Sequence, residues 1–438
     1  MNFRAEAYTT ILKVFKDTEF SSAMLQQRAK RFRNDGESIA LYHTTVKGVI
    51  KMRQHLDYII SHHTDADKYA ATDIKIKVML YLGLYQLIFL DSIPEHAAVH
   101  ETVELAKTTL SPQVADFVNA VLRSYLRNPK IEYPEDPALR IAYEHSYLPE
   151  LIQTWLELWG VEDTEMLALY FNENPELHIR VNQTDTTPKK LQAYFERRGI
   201  SITPSNASPM MFHTMQASEV LNDVAFTEGY FTVQDTSAAL VIELLDPKPE
   251  ESILDFFAAP GGKCTFIAEK MQNTGEVIAV DKTPNKMKLL KQNAERLQLS
   301  NIKRVVSDAL KYGPVAPAYD RVLVDAPCSG WGVFSRKADL RWQAHQDIGE
   351  LIKLQEKALD YAANFVKAEG ILVYSTCTLN PAENEEQIQR FLQKNPKFSL
   401  LDAANFIPKE YTEAGFLKTI PFRHFMDGAF AAKMQKKA

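Results

Sequence analysis

Cysteine is scarce: the 438 residues hold three, Cys264, Cys328 and Cys377, and none forms a CxxC pair. A disulfide framework is therefore not expected, and no Cys/His cluster has the spacing of a zinc site, so no metal is expected. Long apolar runs are missing too. A bilayer span takes roughly 20 apolar residues, whereas the longest nearly apolar stretch, Val78 to Leu90, is interrupted by Gly83 and Gln86. It reads as a buried helix. The segment Met1 to Phe20 mixes charges among its apolar residues, unlike the uninterrupted core of a signal peptide. The expectation is a cytoplasmic protein with no membrane association. Nor is there a surplus of positive charge: 50 Lys plus Arg stand against 56 Asp plus Glu, a net charge of -6. A polycation that coats nucleic acid is excluded, and any nucleic-acid contact must come from local basic patches. Internal repeats and low-complexity tracts are absent.

What is present suggests more than one domain. Pro129, Pro134 and Pro137 fall among charged residues between Asn128 and Pro137, a composition that stops helices and marks a linker. Before it, Tyr8, Ile11, Leu12 and Phe15, and again Phe117, Val118, Val121 and Leu122, recur at helical spacing. An all-helical domain over residues 1–130 is expected. A smaller α+β segment, 138–225, follows. Pro149–Trp159 reads as a helix and His178–Asn182 as a short strand. Thr187-Pro188 caps a helix running to about Arg198, and Pro204 to Pro209 is a loop.

Over residues 226–438 strand and helix patterns alternate. The expected strands are Ser252–Phe257, Val277–Val280, Ile302–Val306, Arg321–Val324 and Ile371–Tyr374. The expected helices are Lys263–Lys270, Asn285–Leu297 and Ile348–Phe365. This alternation points to a parallel, doubly wound α/β sheet of Rossmann-like type, whose ligands sit at the carboxyl ends of the strands.

The motifs fall at those ends. The first strand runs through Asp255 into Ala258-Ala259-Pro260-Gly261-Gly262-Lys263. Small residues and two glycines let a ligand approach backbone at the start of a helix. The turn is neither GxGxxG nor GxxxxGK[ST], and alone it is an ordinary tight turn. The second strand ends at Asp281, where a carboxylate can accept both ribose hydroxyls of a nucleoside. The third ends at Asp308, where one can accept from an adenine amino group. Each aspartate singly reads as a helix cap; three in succession point to adenosine recognition, as in S-adenosylmethionine enzymes.

The fourth strand ends in Asp325-Ala326-Pro327-Cys328-Ser329-Gly330 and the fifth in Ser375-Thr376-Cys377-Thr378. Consecutive strand ends can bring the two thiols together. Carbon 5 of cytosine is a poor nucleophile. A thiolate added to carbon 6 makes it enamine-like, and cysteine both attacks and leaves well. A second acid/base group must then help the carbon 5 proton depart, and Asp325 can hold the amino edge of the base.

These segments, with Gln234-Asp235, Pro381-Ala382-Glu383-Asn384-Glu385 and Asp427-Gly428, resemble the motifs of the Sun (Fmu) family of RNA cytosine-5 methyltransferases. Leu82–Leu87, Ile93–Val99 and Phe117–Arg123 resemble the helical domain related to the antitermination factor NusB. That fusion is similar to the bacterial small-subunit ribosomal RNA members of the family. The resemblance implies S-adenosyl-L-methionine as cofactor, bound by Asp255, Ala258 to Lys263, Asp281, Asp308 and Asp325. It implies Cys377 as nucleophile, with Cys328 assisting completion and release. The substrate implied is 16S ribosomal RNA, free or in an assembling small subunit; a monomer is expected. His178 to Asn182, with Arg180, resembles the family's RNA-contacting insert. Phe257 stands where the family has cysteine, Cys264 where it has threonine and Ala429 where it has an aromatic; Lys51-Met52-Arg53 also fits poorly.

Two basic groups are candidate RNA contacts. Arg28, Lys30, Arg31 and Arg33 lie in the helical region. Arg336, Lys337 and Arg341 follow the Cys328 loop, interleaved with Trp331, Phe334 and Trp342. Charge with aromatics suits phosphate contact and base stacking, although such a group can also be a solvated face over a core. Two other functions compete with RNA cytosine-5 methylation. A non-catalytic RNA-binding assembly factor would not need both cysteines and all three aspartates. An amino-group methyltransferase would carry Asn/Asp-Pro-Pro-Tyr/Phe where this chain has Asp-Ala-Pro-Cys.

Overall fold

The computed structural model describes the chain except residues 1, 18–24, 26, 29, 33–34, 314–315 and 344–347. The described residues form two compact units. The first comprises residues 1–172 and 337–344, the second 173–336 and 345–438.

The first unit is helical, with helices including Phe3–Asp17, Gly36–Lys51, Arg53–His62, Ile74–Phe89, Glu95–Thr109 and Pro112–Arg127. The run read as a buried helix is the Ile74–Phe89 helix, where every residue from Val78 to Gln86 is buried. An all-round apolar helix must sit at the centre of a bundle. Gly48 permits its closest neighbour: a Cβ there would collide with the Tyr85 hydroxyl.

The proline-rich stretch interrupts the helices but does not divide the units. Tyr133 stacks on Tyr58, which stacks on Tyr143, and the Lys51 ammonium donates to the Asn172 carbonyl at 3.1 Å. The helices Pro137–His145 and Pro149–Asn172 therefore belong to the first unit, and the α+β unit begins at Glu173 rather than at 138. Pro149–Asn172 is broken at Gly160, φ 75, where the expected helix ended.

The second unit holds two sheets. Strands β1 (Leu177–Val181), β2 (Thr203–Pro204), β3 (Met211–Thr214) and β4 (Phe231–Val233) make an antiparallel sheet in the order β2-β3-β1-β4. The helix Pro188–Glu196, capped by Thr187, buries Leu191 and Phe195 in the core of this sheet.

The larger sheet carries β5 (Ser252–Phe256), β6 (Glu276–Asp281), β7 (Ile302–Val306), β8 (Tyr319–Asp325) and β9 (Val366–Thr376). They lie parallel in the order β7-β6-β5-β8-β9. The helices Thr236–Leu245, Gly262–Lys270 and Pro284–Arg296 contribute to the core on one face. Ile348–Ala362 and Glu385–Lys394 contribute to that on the other. This is the doubly wound, Rossmann-like architecture expected from the alternating strands and helices. It is not wholly parallel: β10 (Phe398–Leu401), β11 (Thr412–Glu413), β12 (Phe416–Thr419) and β13 (Ala429–Lys436) extend it, with β13 antiparallel to β9. Among the described residues no helix is long and apolar enough to cross a membrane.

Candidate active site

The chemistry gathers where β5, β6, β8 and β9 end. β5 leads into a turn in which Gly261, φ 105, caps the helix Gly262–Lys270. A Cβ on Gly261 would sit 2.7 Å from Leu290 Cγ, so the turn passes too close to the neighbouring helix for any side chain. At Gly262 a Cβ would meet nothing nearer than 3.7 Å, leaving the backbone at the helix start open to a ligand.

Asp255 is fully buried, and its carboxylate, with the Cys264 thiol nearby, makes no hydrogen bond of good geometry. Burial first, then the neighbouring Asp325 carboxylate, pushes its pKa well up. A buried polar group left unpaired is costly, and a bound polar ligand would satisfy it. Asp281 accepts from Thr283 N at 2.8 Å and lies under the same turn, with Ala259 N at 3.4 Å. Asp308 accepts from Leu310 N at 3.0 Å and so acts as a cap. Poorly partnered oxygens at Asp255, the open turn and an acid at the end of β6 fit a nucleoside cofactor.

β8 and β9 place the two thiols together. Asp325 pairs with Ser375 in register, and Cys328 Sγ lies 3.4 Å from Cys377 Sγ. Lys263 donates to Asp325 Oδ1 at 2.8 Å and Ser375 Oγ donates to the same oxygen at 2.9 Å. Burial alone would lower the Lys263 pKa, but Asp325 outweighs it and raises it. Lys263, in the turn after β5, is thus a fixed cation beside the cysteine loops.

A hydrogen-bond frame holds those loops. Ser329 and Thr378 share a hydroxyl hydrogen bond of 2.7 Å, and Asn384 donates to the Thr378 carbonyl at 2.9 Å. Gly332 N donates to the Cys377 carbonyl at 3.0 Å, and Gly428 N to the Gly332 carbonyl at 2.8 Å. A side chain on Gly332 would strike the Gly428 carbonyl, which explains the glycine on both sides of this contact. The adjoining Asp427 shares Arg336 with Asp235, at 3.2 and 2.8 Å. Burial, then the Asp235 charge, lifts Asp427 to about 8 against the pull of Arg336. Asp235 and Asp427 were visible only as part of a family resemblance; their shared cation joins positions far apart in the chain.

Several expected RNA contacts are not free. Arg180 is fully buried and donates to Glu269 Oε1 at 2.7 Å, Gly262 O at 2.9 Å and Thr265 Oγ1 at 3.1 Å, and also to Gln234. It braces the cofactor-side turn from beneath and presents nothing to RNA. Arg341 is also fully buried, inside the helical unit, donating to the Phe171 carbonyl at 2.8 Å and Asn172 Oδ1 at 2.7 Å. Neither contacts RNA: both guanidiniums are fully buried among internal acceptors and are screened from any phosphate.

Trp331 and Phe334 are core residues, not stacking platforms. Arg336 is committed to carboxylates yet retains an exposed edge, and Lys337 is exposed. In the N-terminal cluster, Arg28 and Arg31 both pair with Glu6, at 2.5 and 3.2 Å. Arg33 and the Lys30 side chain lie outside the described residues. Cys264 is buried in the core below the turn, with its thiol pKa raised by burial and then by Asp255.

Comparison with known proteins agrees across these parts. A family model described as 16S rRNA methyltransferase RsmB/F matches residues 242–435. A NusB family model matches 1–127, and an RsmF/B-like, ferredoxin-like domain matches 150–220. The chain is 34% identical over 444 residues to a probable ribosomal RNA small subunit methyltransferase B of Bacillus subtilis, covering 98% of each. It is 36% identical over 400 residues to a protein of the same description from Synechocystis, covering 89% of this chain and 90% of that one. A solved methyltransferase homolog from Pyrococcus horikoshii matches with a TM-score of 0.61 at 27% identity, covering 69% of this chain and 100% of that one.

Proposed function

This chain belongs to the 16S rRNA methyltransferase RsmB/F family, and on that premise we propose that it methylates carbon 5 of a cytosine in small-subunit ribosomal RNA. The observation that carries the reading is the thiol pair, 3.4 Å apart at the ends of neighbouring strands and next to the Lys263–Asp325 ion pair. A methyltransferase acting on an exocyclic amine needs no thiol; carbon 5 chemistry needs one to attack and a second acid/base group to finish.

S-adenosylmethionine, when bound, supplies an electrophilic methyl group. Asp255, the Ala258–Lys263 turn and Asp281 would hold it, and Asp308 would be available to accept from its adenine amino group. Asp325, oriented by Lys263 and Ser375, receives the amino edge of the cytosine. The Cys377 thiolate adds to carbon 6, forming an S–C bond and pushing the carbon 5–carbon 6 electron pair onto carbon 5. Once carbon 5 carries its methyl group, the proton there passes to a base. The C–H pair rebuilds the double bond and the S–C electrons return to Cys377. Cys328 assists that last step. The exposed cations Arg336 and Lys337 contact the RNA backbone.

Incubating the full chain with 16S ribosomal RNA and labelled S-adenosylmethionine, then identifying the modified nucleoside by mass spectrometry, tests this. 5-methylcytidine is the expected product. A methyl group on an exocyclic nitrogen, or none on RNA, would overturn the reading.

A further inference from the structure

Glu383 is fully buried, and no step above uses it. Its carboxylate accepts from Ser329 N at 2.9 Å, Ser329 Oγ at 2.5 Å, Gln355 Nε2 at 2.8 Å and Asn380 Nδ2 at 3.2 Å. All four donors are neutral, so they solvate the charge without cancelling it. Ser329 directly follows Cys328, which fastens a negative charge to the Cys328 side of the thiol pair. The Lys263 ammonium, held by Asp325, lies within electrostatic reach of Cys377. Two thiols in hydrogen-bond contact cannot both ionise cheaply; the pair loses its first proton as a unit.

We infer that Glu383 is a positioning residue that decides which thiol is charged: it keeps Cys328 as the S–H donor and leaves the thiolate to Cys377. The electrostatics agree. The hydrogen bond to Cys377, then burial, then the charges of Cys377 and Glu383, hold the Cys328 thiol well above its ordinary pKa. Tyr374 also lies within electrostatic reach of Cys328. Lys263 and Asp427 lie within reach of Cys377, and Arg336 offsets Asp427.

The division has a consequence for the order of events. While Cys377 is a thiolate, Cys328 cannot act as a base. When Cys377 becomes a thioether on carbon 6, its charge is gone and Cys328 loses its hydrogen-bond acceptor. Cys328 can then give its proton to solvent and take the one leaving carbon 5. The base is armed only after the covalent bond exists.

The inference rests on the cysteine chemistry proposed above, and its test needs no RNA. The full chain is alkylated with iodoacetamide from about pH 6 to 10, and the rate at each cysteine is read by peptide mass spectrometry. In the unsubstituted protein Cys377 should react with the lower inflection. In Glu383→Gln the Cys377-to-Cys328 rate ratio should fall by about tenfold, the effect of roughly one pKa unit. A lower inflection at Cys328 in the unsubstituted protein overturns the inference even if the variant does not fold. So does an unchanged ratio in a folded variant. Failure of the underlying reading would show elsewhere, as methylation that survives Cys377→Ala.

Discussion

Replacing Arg180 by methionine removes one half of an ion pair whose two side chains are both 0% exposed. Glu269 would be left buried without its partner, where it must either stay charged unsolvated or take up a proton, since burial already raises its pKa despite Arg180. The bonds to Thr265 and to the Gly262 carbonyl are lost as well. Breaking a buried pair by deleting one partner costs ~3–5 kcal/mol. For a unit of this size, where each kcal/mol shifts Tm by ~2–4 °C, the loss is roughly 6–20 °C. The same substitution loosens the turn that opens the helix Gly262–Lys270, so cofactor affinity should fall with stability. Thermal unfolding followed by circular dichroism, with RNA binding measured below the transition, separates this role from phosphate contact. Adding Glu269→Leu should recover much of the lost stability, because no charge is then left stranded. A variant with unchanged Tm and weakened RNA binding would refute the argument.

Asp281→Ala should weaken S-adenosylmethionine binding roughly 10- to 150-fold, the loss of one charge-assisted hydrogen bond worth ~1.5–3 kcal/mol; calorimetry giving an unchanged Kd would remove Asp281 from the ribose. Asp427 binds its proton more tightly folded, at about 8, than its ordinary 3.8. Its contribution to stability is therefore full below the lower value and declines as pH rises through the upper one. Urea titrations across that window should show this downward slope in the unsubstituted protein and its loss in Asp427→Asn. Lys337→Ala should reduce the salt dependence of RNA binding by about 0.7–0.9 in log–log slope, the share of one phosphate contact; an unchanged slope would make Lys337 plain surface.

The inner parallel strands were legible because they are apolar runs closed by turn residues; the edge strand Ile302–Val306 carries Lys303 and Arg304, yet has the same bounds in sequence and structure. The thiol pair was legible for the same reason, since consecutive strand ends bring Cys328 and Cys377 side by side. β13 was not, because its Ala-Phe-Ala-Ala stretch has little β propensity and is stabilised by pairing with β9 and β12. Arg341 was taken for an RNA contact because an arginine in a basic group looks like a surface charge, and Arg180 because its segment resembles an RNA-contacting insert. What buries Arg180 is Glu269, 89 residues away, and what buries Arg341 is a pair of acceptors about 170 residues away. Pairing over such distances leaves no local signature. Glu383 sat inside a noted motif, yet nothing nearby in sequence showed that it fastens the loop of the other cysteine.

The claim at the centre is that the two cysteines divide the reaction, Cys377 bonding to carbon 6 and Cys328 acting afterwards. The direct measurement is the covalent protein–RNA species formed by each alanine variant, resolved on a denaturing gel and assigned by mass spectrometry of the cross-linked peptide. Cys328→Ala should turn over far more slowly and accumulate an adduct on the peptide containing Cys377. Cys377→Ala should give neither turnover nor adduct. An adduct that persists in Cys377→Ala and vanishes in Cys328→Ala would contradict the account and reverse the two roles.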